Sequence, residues 1–254
     1  MHQEVPVVEL LGMRIARLGP EAVVDWAFTA LERGEGGWIL TATLDYLQRH
    51  ASDPASRALY AGADLIVPDG MPLVWAARLQ GTPLPARVAG SDLVWLLAER
   101  AARQGARLYL LGGDPGVGER AAQRFRERSP SLRIAGVSSP RISEVPTPAE
   151  IGELRSALLE AQPDLVYVAL GTPKQDRVIA ALREALPRAW WMGVGISLSF
   201  VAGEVARAPR WMQRAGLEWI HRLLQEPLRL SRRYLLANLP FSLRLMASAW
   251  RART

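Results

Sequence analysis

Cysteine is absent from this 254-residue chain, so it holds no disulfide and no thiolate metal site. Histidine is almost absent: His2, His50 and His221 are too far apart to follow a ligand spacing. Lysine occurs once, as Lys174, against thirty arginines. A genomic base-composition bias accounts for that preference. A lysine that persists against it is a candidate for chemistry, with chance as the competing explanation. No Asp-x-Asp pair or acidic cluster marks a cation site, so no metal and no cofactor is expected. Runs of about 18 apolar residues are also missing, which excludes a spanning helix. The N-terminal stretch lacks the basic-then-apolar layout of a secretory signal. These absences point to a cytoplasmic protein, with attachment to a membrane surface left open.

What is present is unevenly distributed. Residues 203–254 carry ten arginines, no lysine and three glutamates, whereas the preceding 202 residues are close to neutral. A neutral body with a basic, tryptophan-bearing tail suggests a body that handles a small substrate and a tail that meets an anion. The length suits one large domain, or one domain with an appendage.

Short apolar runs recur at 38–41, 65–67, 108–111, 132–137, 165–170 and 190–194, separated by helical patterns. Runs of this kind read as buried parallel strands. The expected fold is layered α/β: a Rossmann-like parallel sheet with flanking helices and right-handed crossovers. After Gly203 only helical patterns remain, so residues 1–202 read as the body and 203–254 as a basic helical appendage. Thr147-Pro148-Ala149-Glu150 has capping-box spacing and opens a helix after a Ser/Pro-rich loop.

Ligands in such sheets bind beyond the carboxyl ends of the strands, and five motifs fall there or in the tail. In Val67-Pro68-Asp69-Gly70-Met71-Pro72, Asp69 is either a helix cap or a general base at a cleft. In Gly171-Thr172-Pro173-Lys174-Gln175-Asp176, Thr172 reads as N-cap, Pro173 as first helical residue and Gln175 as reciprocal cap. The same free amides, with Lys174, make an anion site. Gly112-Gly113-Asp114-Pro115-Gly116 lets a ligand approach the backbone closely, but matches neither the dinucleotide fingerprint nor a P-loop. Arg87, ahead of Gly90-Ser91-Asp92, is either a surface charge or an anion contact. In the tail, Pro227 splits two helices, and Arg229, Arg232 and Arg233 share one face. That face is either solvated or a grip for pyrophosphate. Residues 234–250, broken by Pro240 and Arg244, suit a membrane interface and equally a core-packing helix.

Taken in series, these segments resemble the WecG/TagA/CpsF family of bacterial glycosyltransferases over roughly residues 38–234. The resemblance implies an inverting, metal-independent enzyme. It would move an N-acetylmannosamine-type sugar from a UDP donor to an undecaprenyl-diphosphate-linked sugar, in wall or surface polymer synthesis. By position, Asp69 is then the base, with Thr41 and Gln175 as active-site residues. Gly112, Gly113, Gly171, Thr172, Pro173, Lys174 and Gly195 line the donor side. Arg87, Arg222, Arg229 and Arg232 meet the acceptor's diphosphate. The tail would bind the inner face of the plasma membrane, and a homo-oligomer is possible. Two positions depart from the family's pattern: Thr43 stands where Asn is common, and Ser199 where Asp is common. Both lie at the active-site edge and bear on the donor sugar rather than the reaction type.

Other classes remain at this point. The basic tail allows nucleic-acid binding, although it carries no nucleic-acid motif. A UDP-sugar epimerase could use a similar sheet, as could a non-catalytic scaffold. A dehydrogenase lacks its fingerprint here.

Overall fold

Buried, β-branched and aromatic runs alternating with amphipathic stretches can satisfy both faces only as a sheet between two helical layers. The computed structural model describes residues 5–253, apart from the side chains of Arg214, Arg229 and Arg233. A hairpin of β1 (Val7–Leu10) and β2 (Met13–Ala16) precedes α1 (Pro20–Glu32). Then follow β3 (Gly37–Ala42), α2 (Leu44–Ser52), α3 (Pro54–Tyr60), β4 (Leu65–Pro68), α4 (Met71–Leu79) and α5 (Gly90–Gln104). The second half runs β5 (Arg107–Gly112), α6 (Val117–Arg128), β6 (Arg133–Ser138), α7 (Pro148–Ala161), β7 (Leu165–Ala169), α8 (Lys174–Leu182) and β8 (Trp190–Gly193). Helices complete the chain: α9 (Ser197–Ala202), α10 (Arg210–Ala215), α11 (Glu218–Gln225), α12 (Pro227–Ser231), a π-helical segment Arg232–Asn238 and α13 (Leu239–Arg251).

The main sheet is six-stranded and parallel throughout, in the order β4-β3-β8-β7-β5-β6. All six expected strands are in it, and the expected α/β class holds. Alternate residues serve opposite layers, as strand geometry requires. Ile39, Leu108, Leu110, Leu165, Tyr167, Trp190 and Met192 pack with α1, α5, α6 and α9. Trp38, Leu40, Tyr109, Leu111, Val166, Val168 and Trp191 pack on the other side with α2, α4, α7 and α8.

That division creates the crevice. After β3 the chain turns to one layer through α2, and after neighbouring β8 it turns to the opposite layer through α9. The connections beyond the carboxyl ends of β3 and β8 therefore diverge, and such a switch point is where open α/β sheets take ligands.

The capping box at Thr147 and Glu150 is present with both of its reciprocal bonds. The one expected at Thr172 is not. Helix α8 starts at Lys174 with Pro173 as N-cap and no side-chain cap, because the Thr172 hydroxyl is engaged elsewhere. Asp69 does not cap α4 either, since Gly70 is the N-cap of that helix. Helix α5 has Ala89 as its N-cap.

The tail is helical and divides at Pro227, as expected. Its last helix is more than an attachment. Phe241, Leu245 and Ala249, one helical stripe, are buried in the same core as Trp38 and Leu40. For 234–250 the packing therefore realises the core-packing alternative along that stripe, while Leu239, Leu243 and Trp250 on the rest of the helix are exposed.

Candidate active site

Asp69 follows β4, and its backbone N–H bonds to Ala42 O at 2.9 Å, extending the β3–β4 pairing by one residue. Its Oδ2 accepts the backbone N–H of Gly90, the first residue of the 15-residue helix α5, at 3.0 Å. A helix N-terminal amide favours the charged form of a carboxylate. A β-carbon at Gly90 would stand 3.1 Å from Thr41 Oγ1 and 3.4 Å from Asp69 Oδ2. Glycine there lets the ends of β3 and β4 bring Thr41 and Asp69 to one point. Burial nevertheless dominates and pushes the Asp69 carboxyl up to about 6. The Gly90 amide, Arg87 and Arg207 pull it down, and Glu218 pushes it further up. A carboxylate held near 6 is ionised at neutral pH yet basic enough to take a proton.

The cations beside Asp69 come from both parts of the chain. Arg87, from the loop before α5, pairs with Glu218 of α11. Glu218 Oε1 also accepts from Arg207 Nε at 3.1 Å, and Arg207 grips Asp92 in the first turn of α5 with two nitrogens. Asp92–Arg207–Glu218–Arg87 is one continuous charge network binding the tail to the mouth of the crevice. Arg222 lies one turn further along α11. It pairs with Glu226 at 2.6 Å and sits over the Phe200 ring at 5.6 Å. Its buried Nη1 has no hydrogen-bond partner among the described residues. Arg232 is exposed. Arg229 was assigned to the same group, and its side chain lies outside the described residues.

A second cluster sits past the crevice, under the turn after β7. Gln175 is buried, and its amide is used at both ends: Oε1 accepts Gly195 N–H at 3.1 Å, and Nε2 donates to Tyr46 Oη at 3.0 Å. Gln175 therefore acts as a strut joining the ends of β7 and β8 to α2. The fit is tight, because a β-carbon at Gly193 would fall 2.5 Å from Gln175 Nε2. Gly193→Ala should cost about 1–3 kcal/mol of stability through overpacking, read as a lower melting temperature. Tyr46 Oη also meets Thr172 Oγ1 at 2.7 Å and both oxygens of Asp176, at 2.9 and 3.1 Å. Burial raises the Asp176 carboxyl to about 7, with the Tyr46 hydrogen bond opposing.

The remaining donor-side residues are spread along the same edge. Gly112 and Gly113 end β5 with positive φ, and Gly113 N–H bonds to Ala169 O at 2.8 Å. A side chain at Gly112 would strike that carbonyl at 2.7 Å. Gly171 and Gly195 also have positive φ, and Gly171 is exposed with open space at its β position. Lys174 is directed elsewhere: its Nζ donates to the Ile142 carbonyl at 2.7 Å, pinning the loop between β6 and α7. Among the described residues no group of three or more His, Asp or Glu side chains is placed to hold a metal ion.

Tyr46, Asp92, Asp176, Arg207 and Glu218 were not assigned roles from the sequence. Asp176 carries a visible signal as an acid next to Gln175. Tyr46 meets Asp176 across 130 residues and Glu218 meets Arg87 across 131, separations that no local pattern announces.

The geometry joins a strand-end carboxylate to tail arginines, and similarity to known proteins bears on what that does. Residues 8–254 match the glycosyl transferase WecG/TagA/CpsF family. The chain belongs to this family. One similar protein is the N-acetylglucosaminyldiphosphoundecaprenol N-acetyl-beta-D-mannosaminyltransferase of Bacillus spizizenii, 33% identical over 201 residues, covering 79% of this chain and 76% of that protein. The Bacillus subtilis protein of the same name is 30% identical over 214 residues, covering 76% of this chain and 81% of the relative. The family match takes in both the sheet and the tail, so Asp69 and the α11 network lie within one family unit. Membership favours the glycosyltransferase reading over the nucleic-acid, epimerase and scaffold alternatives.

Proposed function

We propose that this protein transfers an N-acetylmannosamine-type sugar from UDP to a polyprenyl-diphosphate-linked N-acetylglucosamine, inverting the anomeric centre. The observation that carries the reading is Asp69. It is a carboxylate with a raised pKa at the β3/β8 crevice, flanked by Thr41 and the α5 amide, and faced by Arg87 and Arg207. The names of the two Bacillus relatives supply the sugar and the lipid acceptor.

Asp69 takes the proton of the acceptor hydroxyl as that oxygen attacks the anomeric carbon. The bond from the anomeric carbon to the UDP oxygen breaks, and UDP leaves with the electron pair. The backbone at Gly112, Gly113 and Gly171 takes the donor's diphosphate, where the missing side chains let an anion approach closely. Arg87, Arg207 and Arg222 take the acceptor's diphosphate. Arginine forks match phosphate oxygens, and Arg222 has a nitrogen without a hydrogen-bond partner among the described residues. Glu218 and Glu226 hold these arginines in place until the more highly charged diphosphate arrives.

The tail also suits a membrane surface. Leu224, Leu228, Leu236, Leu243, Trp211 and Trp250 are exposed large hydrophobics interleaved with arginines. No helix among the described residues is long and apolar enough to cross a membrane. Apolar side chains set among cations favour an anionic interface, which is where a lipid-linked acceptor is found.

Full-length protein incubated with UDP-N-acetylmannosamine and a short-chain polyprenyl-diphosphate N-acetylglucosamine should yield a disaccharide lipid by mass spectrometry, with the anomeric configuration reversed by NMR. Hydrolysis of the donor without a disaccharide product would overturn the proposal. The base also predicts the pH profile. The ionised form is the active one, so kcat/KM should fall as pH drops through about 6. Glu218 helps hold Asp69 up, so Glu218→Gln should move that acid limb to lower pH. An unmoved limb would mean Glu218 does not act on Asp69.

A further inference from the structure

The hydrogen bonds beneath the β7 turn have a single consistent direction. Tyr46 Oη lies 2.9 and 3.1 Å from the two oxygens of Asp176, a side chain 1% exposed. Above about pH 7 the Asp176 carboxylate is ionised and can only accept, so there the Tyr46 proton points to Asp176. Tyr46 then has no proton for its other neighbours. Thr172 Oγ1, at 2.7 Å, must donate to it, and Gln175 Nε2, at 3.0 Å, fills its other lone pair. Thr172 has one hydroxyl proton and spends it inward. Its other neighbours in the cluster are Gln175 Nε2 at 3.4 Å, a donor and a long contact, and the Asp176 carboxylate, which can only draw the same proton inward. Facing outward, Thr172 can only accept.

Thr172 is half-buried at the carboxyl end of β7, beside the exposed Gly171. Strand β8 alone separates β7 from β3, so the end of the strand that leads to Thr172 and the end that carries Thr41 lie roughly 10 Å apart. That is the span of a sugar with its attached phosphate. We propose that Thr172 is a specificity-determining, acceptor-only contact that receives a hydrogen-bond donor of the transferred sugar. Its direction is held by Tyr46 and Asp176, positioning residues that do not touch the ligand. An acetamido N–H suits this contact best, because an amide N–H can only donate, whereas a sugar hydroxyl can turn and serve either way. Gln175, engaged at both ends, belongs to the same scaffold and holds Gly195 against it.

The inference rests on the transferase reading, and its test separates the two. Full-length protein is titrated calorimetrically at pH 8 with UDP and with UDP-N-acetylmannosamine, without acceptor. Thr172→Val should weaken UDP-N-acetylmannosamine about 10-fold and Tyr46→Phe about threefold, with Thr172→Ser within about threefold of wild type and UDP nearly unaffected throughout. The double variant Tyr46→Phe/Thr172→Val should be no weaker than Thr172→Val alone, since Tyr46 acts through that hydroxyl. Unchanged sugar-nucleotide affinity in Thr172→Val would overturn the contact. Equal weakening of both ligands in Tyr46→Phe would make Tyr46 merely structural and overturn its positioning role. Should Tyr46→Phe not fold, the two Thr172 variants still decide the contact. Wild-type protein that binds neither ligand would remove the transferase reading, and the contact with it. Wild-type protein that prefers the sugar nucleotide, with variants that keep the preference, would sink the contact alone.

Discussion

Asp69→Asn should be nearly inactive and yet more stable than the wild type. Loss of a general base costs about 10²–10⁴-fold in kcat. The Asn oxygen can still accept the Gly90 amide, so the crevice keeps its shape and UDP should bind unchanged. The stability change follows from proton linkage. The folded carboxyl titrates near 6, against an ordinary value of 3.8. Folded protein therefore holds this proton more tightly than unfolded chain does. The site's contribution to stability increases as pH falls from about 6 to about 4, and above 6 the charge is a standing cost. The neutral amide removes that cost, which is at most about 3 kcal/mol and less for a side chain with some solvent contact. Thermal melts at pH 8 and pH 5 check it: the variant's advantage should be present at pH 8 and shrink at pH 5. A variant with wild-type turnover would take Asp69 out of the role of base.

Deleting residues 203–254 should abolish transfer while leaving UDP binding in place. The deletion removes Arg207, Glu218 and Arg222 from the crevice mouth, and a lost preorganised charge contact costs about 10²–10³-fold. The backbone at Gly112, Gly113 and Gly171 is untouched. The sequence suggests that the body folds without its tail, but the packing attaches a cost. Phe241, Leu245 and Ala249 leave the core, and α4 loses its cover. Each large apolar side chain lost from that interface is worth about 1.5–3 kcal/mol, so the melting temperature should drop markedly. Transfer assays, UDP calorimetry and melts on the same sample separate the two effects. Full activity in the truncated chain would refute the tail's role.

Much of the architecture is local and could be read directly. Each parallel strand is a short apolar run, and the inner strands are buried on both faces, as at Trp38, Ile39 and Leu40 or Val166, Tyr167 and Val168, whereas edge strand β6 is only half-buried. Positive-φ glycines at Gly112, Gly113 and Gly171 end those runs, and Pro227 divides the tail. Asp69 stood out because an acid followed by Gly at a strand end is rare enough to notice. The β1–β2 hairpin was not anticipated, since two four-residue strands carry little periodicity.

The sequence alone determined the layered α/β class, the position of Asp69 at a strand end and the charge imbalance between body and tail. Those depend on residue spacing within a few turns of chain. Tertiary structure decided which readings survive. Thr172 left its cap for Tyr46, Gln175 became a strut, Lys174 turned to a loop carbonyl, and Glu218 reached across 131 residues to Arg87. A polar side chain goes to whichever partner best offsets its desolvation, and that partner is chosen by proximity in space, which spacing along the chain does not encode.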